Sequence, residues 1–295
     1  MTNSTRGRSA RRIHRFARYV SLLAVGLLLL PAGCVTTAQL EEQARIAKQA
    51  EARRNVGMDH LAKGRTAMAI RELQHAESLD SEDPLTMLWL GEAFRRKGLL
   101  EEAEHCTLRA HTLDPEDQQV RLNLSALYIQ MERYDSAIEY AQGLIDDPTF
   151  SAPWRAYTNR GWAELQAKRL VDANESFQKA LDYRSDYWPA LLNLGILANM
   201  NGHRAEAVRY FERALETNLG YNAKAELNYR LGELYVSLGR RARAVQHFQT
   251  AAESAPSGTW GEQSRNYLEL LAPAPRGGVA SEPARGRNRH GWRNQ

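Results

Sequence analysis

At 295 residues, 43% hydrophobic and 25% charged, the chain has the make-up of a folded soluble protein. Its net charge of +4 sits at the two ends: residues 1–33 carry six Arg and no acid, residues 272–295 carry five Arg and one Glu, and residues 34–271 hold 28 basic against 34 acidic residues. A net-acidic body excludes a phosphate-binding array, so no nucleic-acid partner is expected.

The chain opens on a targeting segment, residues 1–33. Arg6 to Arg18 form a positive stretch, and Val20 to Leu30 are apolar apart from Ser21 and Gly26. That apolar run suits a signal peptide and is too short to span a bilayer comfortably. Small residues then lead to Cys34. Leu30-Pro31-Ala32-Gly33-Cys34 resembles a bacterial lipobox, although Pro31 stands where Leu is usual. The resemblance implies a diacylated Cys34 at a new N-terminus, holding the protein to outer-membrane lipid by burying acyl methylenes worth about 0.8 kcal/mol each. Val35 follows the Cys; an Asp there favours inner-membrane retention in enterobacterial lipoproteins, so outer-membrane sorting facing the periplasm is implied. The alternative is an ordinary cleaved signal, or an N-terminal anchor with an incidental Cys. The other Cys, Cys106, reads as a buried structural thiol with no disulfide partner.

Residues 34–49 read as a tether, although Leu40, Ala44 and Ala47 keep helical spacing and allow a frayed helix. From residue 50 a repeat runs on. Ala69, Ala103, Ala137, Ala173, Ala207 and Ala244 recur at spacings of 34, 34, 36, 34 and 37. Four residues after each stand Leu73, Thr107, Ala141, Phe177, Phe211 and Phe248; twelve before each stand Gly57, Gly91, Ser125, Gly161, Gly195 and Gly232. Small residues at fixed helical positions let neighbouring helices approach closely. Gly64, Gly98, Gly202 and Gly239 mark the turn inside each unit; Glu132 and Lys168 replace it in units three and four, where less regular turns are expected. The longer spacings put extra residues near 147–153 and 220–224 and suggest a division into units one to three, four to five, and six.

This pattern resembles the tetratricopeptide repeat, with six copies at 50–83, 84–117, 118–151, 154–187, 188–221 and 225–258. The resemblance implies an all-α fold, a right-handed superhelix of antiparallel helix pairs. Residues 259–271 read as a C-terminal cap helix, with Trp260, Tyr267, Leu268 and Leu271 on the last repeat. Residues 272–295, rich in Pro, Gly and Arg, read as a disordered tail.

No residues point to catalysis, a cofactor or a metal. His105 and His111 share a predicted helix but lie on different faces, and the sequence has no phosphate loop, GxSxG elbow or HExxH helix. Binding remains. In this repeat class the first helix of each pair lines a groove. Two residues before each Gly or Ser landmark come Asn55, Trp89, Asn123, Asn159, Asn193 and Arg230. An amide donates and accepts, which suits an extended peptide backbone, so these Asn form a candidate ladder; the plainer reading is a set of solvated side chains. Leu122, Ile129, Trp162, Leu165, Leu192, Ile196, Met200 and Tyr229 are the apolar groove candidates, some of them shared with the core. Glu92, Arg95 and Arg96 make repeat two more charged.

A lipoprotein of six such repeats and little else resembles the pilotins of type IV pili, the PilF/PilW and Tgl type. PTFSAPWRAYTNRGWAELQ (148–166) and ALLNLGILANMNGHRAEAVRYFERALE (190–216) carry the likeness. It implies a non-enzymatic protein that binds secretin subunits and promotes their assembly in the outer membrane. The alternatives are an adaptor for peptidoglycan enzymes and a factor in outer-membrane barrel assembly.

Overall fold

The computed structural model describes residues 36–272. The expected targeting segment, Cys34 and all but the first residue of the expected tail lie outside the described residues. Thirteen helices make up the regular structure among the described residues. They are α1 (Thr37–Ala62), α2 (Thr66–Leu79), α3 (Pro84–Lys97), α4 (Leu100–Leu113), α5 (Gln118–Gln130), α6 (Tyr134–Ile145), α7 (Pro153–Gln166), α8 (Leu170–Tyr183), α9 (Trp188–Met200), α10 (Arg204–Leu215), α11 (Tyr221–Ser237), α12 (Arg241–Ser254) and α13 (Thr259–Leu270). None is long and apolar enough to cross a membrane. Two compact units form, one up to Pro115 and one from Glu116.

Local chemistry sets the helix ends. The Asp83 carboxylate accepts from the Leu85 and Thr86 amides at 3.1 and 3.2 Å, and Pro84, which has no amide proton to leave unpaired, opens α3. Asp117 caps α5 in the same way. The turn inside each pair needs one left-handed residue, with φ of 70° at Gly64 and 81° at Gly98. Glu132 and Lys168 take φ of 59° and 61° at the equivalent places, so these turns are as regular as the others, contrary to expectation. A side chain there carries a backbone cost of about 1–2 kcal/mol, which the helix packing on either side overrides.

In the first unit, α1 is one continuous helix. Residues 37–49, read as tether or frayed helix, are its N-terminal half, started by a Thr36–Gln39 capping box and exposed along nearly all their length. Leu61, Ile70, Leu73, Leu90 and Cys106 form the core here, with Trp89 and Phe94 against it.

The second unit holds four helix pairs and α13. Its core runs through the buried rings of Phe177, Phe211 and Phe248 and through Leu191, Leu194, Leu227 and Leu231. The two long connections behave differently. Residues 146–152 stay non-helical and are fastened by Asp147, which accepts from the Thr149 hydroxyl and amide at 2.6 and 2.9 Å and from Gln118 and Arg121 at 3.0 Å each. Those bonds, the Thr149 hydroxyl first, hold its carboxyl down at about 2. Phe150 packs against Leu122, Leu144 and Ala156. The extra residues 221–224 instead become an added first turn of α11. Neither connection divides the chain: α6 packs on α7 and α10 on α11, and the two units part after Pro115.

The contact within each pair is tight. A Cβ on Gly195 would lie 2.3 Å from Cε1 of Phe211, and one on Gly161 2.8 Å from Cδ1 of Phe177. A buried polar network adds direction. The Ser176 hydroxyl donates to Glu164 at 2.6 Å, while Arg160 donates to Ser176 at 2.9 Å and to Gln142 of the preceding repeat at 2.7 Å.

Gly195→Ala should lower stability in urea unfolding by about 1–3 kcal/mol, because the new Cβ would lie 2.3 Å from Cε1 of Phe211 and force the ring out of its packed position. Adding Phe211→Leu should make the double variant cost less than the two single changes together. Burial pushes the Glu164 carboxyl up, against the pull of Ser176 and Arg160. The folded chain therefore holds this proton more tightly than the unfolded chain. The resulting contribution to stability is complete below the ordinary Glu range and lost as pH rises through the raised folded value. Glu164→Gln should flatten that stretch of the stability-against-pH curve, read by urea titration from acid to neutral pH.

Candidate functional site

Within the second unit the first helix α5 packs on α7 and α7 on α9, α10 packs between α9 and α11, and α13 follows on α11 as a seventh first helix. The candidate residues on them divide by exposure. Leu122, Leu165, Leu192 and Tyr229 are 3%, 6%, 8% and 9% exposed, and serve as core between helices rather than as an accessible lining. Ile129, Trp162 and Ile196 are half-buried and Met200 is 59% exposed, so these four leave apolar surface for a partner.

The Asn residues do not form one uniform row. Asn193 is buried and donates to its own helix at Pro189 O, 2.8 Å away. Asn159 donates to Leu122 O on the neighbouring first helix, 3.4 Å away. Asn123 accepts from Gln119 at 2.7 Å, and Gln119 in turn accepts from Arg155 at 3.2 Å. Asn55 is exposed on α1 in the first unit. Two of the amides are thus engaged with backbone inside the fold, which a fixed sequence position could not reveal.

Arg230 is held from two sides. Its Nε and Nη2 donate to Glu226 at 3.0 and 2.8 Å, and its guanidinium lies 5.2 Å from the Trp260 ring centre of α13. Tyr229 sits in an aromatic cluster with Trp260 at 5.2 Å and Phe248 and Tyr267 at 5.8 Å. The hydroxyls of Tyr229 and Tyr267 both donate to Glu233, at 3.0 and 3.3 Å. Burial first, then this carboxylate, push both phenols up. The cap helix therefore covers Tyr229 and leaves the edge of Arg230 open.

Beside Arg230, α9, α10 and α11 enclose an open pocket of about 400 Å³. Phe211 and Leu234 form its apolar base, and Ile196 and Met200 one wall. Arg204, Asn199, Glu233 and Ser237, which the sequence reading did not select, also line it. Arg204 opens a second helix, so a rule confined to first helices could not reach it. Glu233 shares the register of Trp162 and Ile196 and was open to selection.

The first unit holds a second cavity of about 400 Å³ between α2, α3 and α4, lined by Glu77, Phe94, Glu101, Glu102, His105 and Cys106 among others. Burial, then Glu77, push the Cys106 thiol up to about 11, which leaves it unreactive at neutral pH. Among the described residues, no group of three or more His, Cys, Asp or Glu converges on a metal position.

The tetratricopeptide repeat model matches residues 56–118, 122–187, 160–216 and 192–259. The chain is 25% identical over 214 residues to the type IV pilus assembly protein PilF of Pseudomonas aeruginosa, covering 72% of this chain and 83% of that one. It is 30% identical over 95 residues to the protein O-mannosyl-transferase TMTC2 of Homo sapiens, but spans only 11% of that protein's length. Among solved structures, that of PilW, a widely conserved type IV pilus biogenesis factor, is similar with a TM-score of 0.60 at 16% identity, covering 72% of this chain and 97% of that one. The structure of Pseudomonas aeruginosa PilF gives 0.55 at 18% identity, covering 75% and 99%. Two thirds of the sequence falls under the repeat model, with the helix pairs in its register, and the chain belongs to the tetratricopeptide repeat family.

Proposed function

We propose that this protein is a non-enzymatic, periplasm-facing outer-membrane lipoprotein that binds secretin subunits and promotes their assembly in type IV pilus biogenesis. One observation carries the reading. The similarity to PilF extends over 83% of that protein, so the likeness is between whole repeat arrays rather than a shared module in a larger enzyme. The lipobox-like stretch before Cys34 supports an anchored array, with α1 leading from it. The binding face is that of the first helices in the second unit, where Ile129, Trp162, Ile196 and Met200 keep apolar surface available and Asn123 and Arg230 border it. An apolar stripe with polar edges fits a segment of folded or extended chain bearing bulky side chains.

Deleting the gene should abolish secretin multimers in membrane extracts. Normal multimers in the deletion strain would overturn the proposal, and capture of a peptidoglycan hydrolase, or general loss of outer-membrane barrels, would point to the adaptor or barrel-assembly alternatives. The double change Ile129→Ser with Trp162→Ala should reduce secretin capture about tenfold or more while circular dichroism stays helical. Asn193→Ala, by contrast, should leave capture unchanged, because its amide is bound to Pro189 O. Cys34→Ser should move the protein from the membrane fraction to the soluble fraction and abolish palmitate labelling.

A further inference from the structure

In the second unit the turns alternate between two edges, because each helix runs antiparallel to the one before it. The edge that joins first to second helices carries Glu132 and Arg133 after α5, Lys168 and Arg169 after α7, His203 and Arg204 after α9, and Arg240 and Arg241 after α11, so Glu132 is the one acid among those turn residues. The other edge carries Asp146, Asp147, Asp186 and Glu216 against Arg184. Helix capping does not account for this segregation, since both edges contain the same number of helix starts and stops per repeat.

On the basic edge, Arg169 is paired with Asp135 at 2.7 Å, and Arg241 donates to Leu271 O. Lys168, Arg204 and Arg240 have no ion-pair partner among the described residues. The pocket between α9 and α11 opens beside Arg204. Two guanidiniums, those of Arg204 and Arg230, and one carboxylate, Glu233, line it. Glu233 Oε1 already accepts two tyrosine hydroxyls, and Arg230 is oriented by Glu226 and Trp260 with its Nη1 uncommitted.

We propose that this pocket binds an acidic segment of the partner protein, receiving an apolar side chain on Phe211 and Leu234 while Arg204 and the free edge of Arg230 take a neighbouring carboxylate. An apolar base under two cationic forks fits a side chain next to an acid, and planar guanidinium matches carboxylate geometry. Charge decides the occupant. Residues 116–199 hold 8 basic and 12 acidic residues, whereas residues 200–272 hold 9 and 8, so this end of the unit is its positive one. The chain's own residues 273–295 carry five Arg and one Glu, a charge of the wrong sign for this pocket. The inference deepens the proposed function, resting only on its premise that this face binds polypeptide.

The test uses the full chain in mild detergent and three synthetic peptides of equal length with leucines at the same positions, separated by Glu, Gln or Lys. By fluorescence anisotropy the Glu peptide should bind about fivefold or more tighter than the Gln peptide, with the gap narrowing at high salt. Arg204→Glu, an exposed change that spares the core, should abolish the preference. An unchanged preference in that variant would overturn the proposal. Equal binding of all three peptides would also overturn it and leave the secretin reading standing. Binding of phosphatidylglycerol vesicles, lost in Arg204→Glu, with no peptide binding, would overturn it in favour of a lipid site. A charge preference that is present while secretin assembles normally without the protein would uphold the pocket and remove the secretin reading.

Discussion

The contact that everything else depends on joins the first and second helix of each pair, between residues sixteen apart. The six pairs are Gly57 with Leu73, Gly91 with Thr107, Ser125 with Ala141, Gly161 with Phe177, Gly195 with Phe211 and Gly232 with Phe248. Where the first helix offers a glycine, the second fills the space, and a Cβ on the glycine would meet that side chain at 2.3–2.8 Å. Where the first helix offers Ser125, the partner shrinks to Ala141, and the Ser125 hydroxyl donates to Ala137 O at 2.9 Å instead. The two positions share one volume. Close-packed interiors tolerate no change on one side without an answer on the other.

That shared volume fixes the distance between the helices of a pair, and the fixed distance sets which residues of the first helices face outward. Leu122, Leu165 and Leu192 fall between helices and become core. Ile129, Trp162, Ile196 and Met200 lie farther round and keep exposed area. The cap helix takes the same place as another first helix, and its Trp260 and Tyr267 close over Tyr229. A helix that supplies its own apolar face to the last repeat leaves the open surface to the repeats before it.

Polar groups divide into those that hold the fold and those left for a partner. The Asp147 carboxylate ties an irregular connection to α5, and the Gln142–Arg160–Ser176–Glu164 network joins two repeats through groups whose partners are all within the chain. Arg204 has no such partner. This difference, invisible in residue type, separates a structural charge from one available for recognition.

The sequence by itself determined the repeat, its six copies and the cap helix. Those follow from the recurrence of small and large residues at fixed helical positions, which is a local, one-dimensional signal. It also located the long connections, but only the structure showed that 146–152 remains a fastened loop while 221–224 joins α11 as helix. Tertiary structure alone decided that Glu132 and Lys168 adopt the same left-handed turn as the glycines, because packing on both flanks outweighs the local backbone preference. It alone decided the division after Pro115, the inward engagement of Asn159, and the placing of Arg204 and Arg230 on one pocket. Each of these depends on neighbours about a repeat away in the chain, and a repeat's sequence specifies its own pair more strongly than what the next pair does to its exposed face.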